Sequence, residues 1–189
     1  MLAPVLVAML PDVLRLLEGA MSGAKSRGKG ARGEREIVTL LRSALPDGWT
    51  VERFGTGESG HDIRIAPPDG TAQPFALEVK RYRDFEIGEV LRGPSARFVA
   101  WWRQTRSQAD RVGREPLLVT RGDRRPWWLW APRQYGDGHV SVELQLPLAD
   151  GVSEVLIGVP LAAALEDLAW EMVEGGGHDP SQTPPSLMS

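Results

Sequence analysis

The sequence predicts an α/β fold, a mixed β-sheet flanked by helices in the order αβββαβ and followed by a C-terminal extension. Three observations predict it. A stretch with apolar residues at helical spacing is followed by three short alternating segments with turn signals between them. A long helical stretch then precedes PLLVT, a short apolar run of the kind buried on both faces. Successive strands joined by turns pair antiparallel, whereas a crossover helix returns the chain to a parallel neighbour, so the sheet is expected to be mixed.

The first helix is expected from Ala31 to Leu45, ended by Pro46 and the turn PDG. TVERF (50–54) reads as a strand, GTGESG as a glycine loop, and HDIRIA (61–66) as a second strand with Ile63 and Ile65 on one face. PPDG (67–70) makes a turn, and Phe75–Lys80 alternates as a third strand. The long helix is expected over Ser95–Gly113, followed by strands at PLLVT (116–120) and RPWWLWA (125–131). LAAALEDLAWEMV (161–173) reads as a final helix, with Trp128 and Trp130 packed beneath it. The expected organisation is an N-terminal segment and basic arm (1–30), a core (31–135), an extension with an acidic helix (136–175) and a disordered tail (176–189).

The chain has 189 residues, no cysteine and a net charge of −3. The missing cysteine excludes disulfides, thiolate nucleophiles and cysteine-based zinc sites, and fits a reducing compartment. All 22 Lys and Arg lie in residues 1–133, and nine of the 25 acids follow Arg133, so the first 133 residues carry 22 − 16 = +6. A basic body with an acidic tail suggests a polyanionic partner. The apolar first twenty residues are interrupted by Pro11, Asp12 and Arg15, and lack a basic flank. They therefore read neither as a membrane span nor as a signal peptide. An amphipathic helix and an over-extended start, with Met21 as initiator, both remain open for them.

The chemistry-bearing pattern lies on the second and third strands. A hairpin centred near residue 70 pairs residues whose numbers sum to about 140, which places Asp62 opposite Glu78. Opposed residues of an antiparallel pair share a face about 5 Å apart, so two carboxylates there need a neutralising partner, and a hard divalent cation is one. Lys80 points to the same side and could hold a phosphate or polarise a water. On the first helix, Glu34 continues the apolar stripe of Ile37, Val38, Leu41 and Leu45, which aims it at the sheet as a third carboxylate. Glu36 is expected on the polar side with Arg32 and Thr39.

KGARGEREIVTLL, VERF, GHDI and ALEVK together resemble the archaeal-type Holliday junction resolvases of the PD-(D/E)XK, or restriction-endonuclease-like, nuclease superfamily, versions of which are common in bacteriophages. The resemblance spans roughly residues 27–120. It implies a restriction-endonuclease-like core, a metal-dependent DNA endonuclease using Mg²⁺ or Mn²⁺, branched DNA as partner, a homodimer, and the cytoplasm of a bacterium or phage-infected host. Carried over by position, Glu34 matches the helix acid, Asp62 the strand acid, and Glu78 with Lys80 the E-x-K pair; the acids are the implied metal ligands. Arg35 and Arg53 match residues facing the DNA backbone, and Gln104 stands where many members carry a helix glutamine near the site. Arg32, Arg81 and Arg83 join these as candidate DNA contacts because arginine's planar fork suits phosphate.

His61 precedes Asp62 where the superfamily name suggests proline, and the literal Pro68–Asp69 falls on a turn tip, so Asp69 is set aside. His61 reads as a bystander; His139 and His178 have no ligand spacing, and Trp101 and Trp102 read as core or dimer-interface residues. Two alternatives stay open beside a junction-cutting enzyme. They are a restriction-like or nicking endonuclease of the same superfamily, and a catalytically inactive DNA-binding module.

Overall fold

The alternation of Phe75, Leu77 and Val79 with Ala76, Glu78 and Lys80 makes one strand that is apolar on one face and carries chemistry on the other, and the rest of the sheet is built around it. In the computed structural model, which describes residues 30–54, 61–71, 73–136, 140–147 and 153–174, this strand is β3 (Phe75–Tyr82). Before it come helix α1 (residues 30–44), β1 (Thr50–Arg53) and β2 (Ile63–Ala66). After it come α2 (Ile87–Arg92), α3 (Ala96–Val112), β4 (Glu115–Gly122), β5 (Trp128–Ala131), β6 (Val142–Pro147), β7 (Ser153–Pro160) and α4 (Leu161–Glu174). The expectations for the N-terminal segment, the arm up to Lys29, the GTGESG loop, His139, His178 and the tail lie outside the described residues.

The seven strands form one sheet in the order β1-β2-β3-β4-β5-β7-β6. β1, β2 and β3 pair antiparallel, β3 and β4 pair parallel across the α2–α3 crossover, and β5, β7 and β6 extend the sheet antiparallel. The mixed sheet is therefore the one the element order predicts. β2 meets β3 at Ile63↔Leu77, which sums to the expected 140. Four elements depart from the sequence reading. The short helix α2 and strands β6 and β7 are additional, and β2 begins at Ile63 rather than His61.

Helices cover both faces. α1 and α4 lie over one face, where Ile37, Leu41, Leu77, Val79, Leu117, Leu129 and Leu168 form a buried cluster. α2 and α3 cover the other, where Val90, Phe98, Trp102, Leu118, Trp130 and Leu156 form a second. Each fully buried Leu, Ile or Phe in these layers contributes about 1.5–3 kcal/mol. α3 is well delimited: the Ser95 side chain accepts a hydrogen bond from the Phe98 N–H at 3.2 Å, and Gly113 ends the helix in the left-handed region (φ 63°). Trp101 and Trp102 are buried core residues of this layer.

Trp128 and Trp130 correct an expectation. They face α3, not the last helix; Trp127 is the tryptophan that joins the α4 side. The pairing of β5 with both β4 and β7 sets this direction, and a strand's own alternation cannot say which face is which. Gly158 on β7 makes room for Trp130, since a Cβ there would stand 2.3 Å from the indole ring. α4 is tied down by charge as well as packing. Arg133 donates two bonds to Glu115 (3.0 and 3.1 Å) and two to Glu171 (2.7 and 2.8 Å), while Tyr135 Oη donates to Glu115 at 2.9 Å. Burial and the neighbouring Glu115 carboxylate push the Tyr135 phenol above its ordinary range.

Candidate active site at the fork between β2 and β3

β2 and β3 diverge just beyond Ile63↔Leu77, and the side chain of Asp62 fills the gap. Its backbone N–H still bonds the Leu77 carbonyl at 3.1 Å, while its Oδ2 accepts the Val79 N–H at 2.8 Å, a bond that a neighbouring strand's carbonyl would otherwise accept. Asp62 lies one residue beyond the Ile63↔Leu77 pair, close enough for its charge to act on Glu78. Glu78 is only 2% exposed and lies in the layer between β3 and α3. Its Oε1 accepts from Lys80 Nζ at 2.5 Å and from Gln104 Nε2 of α3 at 3.1 Å; Lys80 Nζ also donates to Gln104 Oε1 at 3.2 Å. Glu78, Lys80 and Gln104 thus close a triangle in which each touches the other two.

The electrostatics follow from burial. Loss of solvent, reinforced by the facing Asp62 and opposed by Lys80, pushes the Glu78 carboxyl up to about 7. Burial also raises Asp62. The Val79 N–H works against that shift, Glu34 adds to it, and Lys80 and Arg53 oppose it. Glu34 sits close enough to be felt by both carboxyls, yet its own partner is Arg53 of β1, which donates to Oε2 from Nε at 2.5 Å. Among the described residues no three acidic or histidine side chains gather into a group able to hold a metal. The pair Asp62 and Glu78 nonetheless suits a hard divalent cation. Loss of solvent raises both carboxyls, the Asp62 charge adds to the shift of Glu78, and Glu78 Oε2 is buried with no hydrogen-bond partner.

The remaining candidates fall in two places. Arg35 and Arg83 are exposed, the latter 3.7 Å from Asp84. Arg81 points to the other face from Lys80, where Arg32 (3.4 Å), Arg81 (3.2 Å) and Arg121 all bond Glu36 and Arg81 also reaches Asp123 at 3.3 Å. Glu36 is therefore no solvated polar-side residue; it is the acid that joins α1 to β3 and β4. Gly33 allows this approach, because a Cβ there would lie 3.2 Å from Arg81 Cβ and from the Trp127 ring. Asp69 caps its own turn, accepting from the Thr71 N–H and hydroxyl at 2.9 Å each. His61 is buried against Phe54, with its Nε2 3.2 Å from Arg114.

Residues 25–139 match the family described as "Phage putative PDDEXK endonuclease". The chain belongs to this family. This PD-(D/E)XK endonuclease is 31% identical over 110 residues to Protein D14 of Escherichia phage T5, covering 54% of this chain and 68% of that protein. Among solved structures it is similar to Hjc, a Holliday junction resolvase from Archaeoglobus fulgidus, at 16% identity and a TM-score of 0.39, over 74% of this chain and 99% of that one. Glu34, Asp62, Glu78, Lys80 and Gln104 all lie within the span that matches the endonuclease family.

Two ionic groups of this endonuclease escape a sequence reading. Glu36 with Arg81 and Arg121, and Glu115 with Arg133 and Glu171, join residues 18 to 85 positions apart. The one local signal was composition: Glu171 sits among Leu168 and Met172 on an otherwise apolar helix face, where a carboxylate needs a partner.

Proposed function

We propose that the protein is a metal-dependent DNA endonuclease that cuts branched DNA, with the four-way junction as its preferred substrate, and that it acts as a homodimer. The observation that carries this reading is Glu78, a buried carboxyl facing Asp62, with one oxygen fixed by Lys80 and Gln104 and the other buried and unpartnered. The preference for junctions is supported by the motifs from KGARGEREIVTLL to ALEVK, and DNA as substrate by the arginine-rich body.

Asp62 and Glu78 would hold Mg²⁺ or Mn²⁺, which when bound supplies charge neutralisation at phosphorus and a water of lowered pKa. The chain's own groups position the rest. Lys80 Nζ, fixed by Gln104 and Glu78, would orient the attacking water, whose proton passes to solvent. The water oxygen attacks phosphorus in line, the bond to one bridging oxygen breaks, and that oxygen leaves with a proton from solvent. Glu34 keeps Arg53 beside this fork, where its guanidinium can meet a phosphate. Arg35 and Arg83 are exposed and would add positive charge along the DNA, while Arg32 is exposed beside Glu36.

The test is cleavage of labelled four-way junction, nicked duplex and linear duplex with Mg²⁺ or Mn²⁺. Paired incisions in the junction are expected, with little cutting of linear duplex, and Lys80→Ala or Glu78→Ala should abolish cutting while leaving DNA bound. Equal cutting of linear duplex would point to the restriction-like or nicking reading. Binding without cutting in either metal would point to an inactive DNA-binding module.

A further inference from the structure

Glu78, Lys80 and Tyr82 alternate along β3 and face the same helix, α3. On α3, Arg97 and Gln104 are seven residues apart and share a face. The two elements therefore meet twice. Lys80 touches Gln104, and one step further along both, the Arg97 guanidinium sits 5.1 Å above the centre of the Tyr82 ring. The rungs are separated by two strand residues, about 6.6 Å, and by two helical turns, about 10.5 Å.

The second rung has no structural task that explains its charge. Tyr82 is 40% exposed, though β3 is otherwise largely buried, and its ring leans on Trp101 with centroids 4.9 Å apart. Among the described residues Arg97 makes no ion pair and no side-chain hydrogen bond; the ring is its partner. Its neighbours on the helix differ: Arg103 is spent on the Pro147 carbonyl and Arg106 on Glu154. An exposed guanidinium held in place by an aromatic ring keeps its N–H donors open for an anion and loses little freedom when it binds one.

We propose that Tyr82 and Arg97 form a phosphate clamp for the substrate strand, one to two nucleotides from the phosphate that is cut. The clamp rests on the nuclease reading above, and the ligand is the anionic backbone, not a base. Arg97 grips a phosphate, Tyr82 aims Arg97, and Trp101 backs Tyr82. The clamp would therefore set which phosphate reaches Lys80.

The experiment first maps the cut on a junction with the active full-length protein. A single charge-neutral methylphosphonate is then placed at each position near the cut, and binding is measured by anisotropy with cleavage blocked by Glu78→Gln. One substitution within two nucleotides of the cut should weaken binding about tenfold. Adding Arg97→Ala should weaken binding of unmodified junction by the same factor, erase the sensitivity to that methylphosphonate, and lower the salt slope by about one phosphate contact. Tyr82→Leu should lose part of the affinity, and Tyr82→Phe, which keeps the ring, should restore it. Both side chains are exposed, and unchanged thermal midpoints will show that the variants fold. The clamp is overturned, with the nuclease reading intact, if the protein cuts DNA but Arg97→Ala leaves the methylphosphonate profile unaltered or weakens it evenly at every position. If the protein with all native residues neither binds nor cuts DNA, the nuclease reading fails and the clamp with it.

Discussion

Gln104 Nε2 and Glu78 Oε1 lie 3.1 Å apart, joining the middle of α3 to the middle of β3 inside the proposed catalytic site. Lys80 is bonded to the same two side chains, so in the proposed mechanism the glutamine would position rather than react. Gln104→Ala should lower kcat about tenfold with KM changed less than twofold, because the lost bond orients Lys80 and does not grip substrate. It should also move the acid limb of the kcat–pH profile, which a merely structural defect would leave in place. Steady-state cleavage from pH 5 to 9 measures both.

The buried Glu78 carboxyl gives the metal-free protein a defined pH response. Its folded-state value, about 7, lies above the unfolded value of 4.5, so the folded chain keeps a proton that the unfolded chain has released. The stability this provides is fully present below pH 4.5 and is lost as pH rises through 7. The loss is on the order of 3 kcal/mol. Urea unfolding in a chelator should show that decline, and Glu78→Gln should flatten it. A variant that follows the native pH curve would show that another group is responsible.

Divalent ions should reverse that decline. If Glu78 and Asp62 hold the cation as proposed, only their deprotonated forms would take it, so Mn²⁺ should raise the thermal midpoint more at pH 8 than at pH 5.5. Asp62→Asn should remove most of the shift. Glu34→Gln should change it little, since Glu34 is engaged by Arg53.

Arg133 holds Glu171, which is 5% exposed, against the sheet. Arg133→Met leaves that carboxylate buried without its cation and should cost about 3 kcal/mol in urea unfolding, the low end for breaking a buried pair because Arg133 is part-exposed. Combining Arg133→Met with Glu171→Leu should recover most of the loss. Simple additivity of the two variants would show that the pair does not act as a unit.

Gly158→Ala tests the seat of Trp130. The added Cβ would meet the indole at 2.3 Å, so about 2 kcal/mol or more should be lost. Trp130→Leu should make the same glycine change nearly neutral. The double-mutant cycle reads this coupling directly.

The β2–β3 register was legible because the turn at PPDG and the alternation on both sides fix the pairing sum, which Ile63↔Leu77 meets. α3 was legible from its caps, Ser95 and Gly113. What escaped depends on partners distant in the chain. Glu36 looks solvated on a helical wheel, and only Arg81 and Arg121 draw it inward. α2, at six residues, is too short to show a period. β6 does alternate, with Leu144 and Leu146 inward and Glu143 and Gln145 outward, but with neither cluster known the pattern had no face to be assigned to.

The two rims of the sheet have a consequence for self-association. β1, at one rim, is four residues long, with Thr50, Glu52 and Arg53 exposed; β6, at the other, turns Glu143 and Gln145 outward and ends in a proline. Short, charged and proline-ended borders discourage the strand-to-strand docking from which fibres grow. A second copy that joins this molecule would then do so through its helices and loops, leaving the sheet at seven strands.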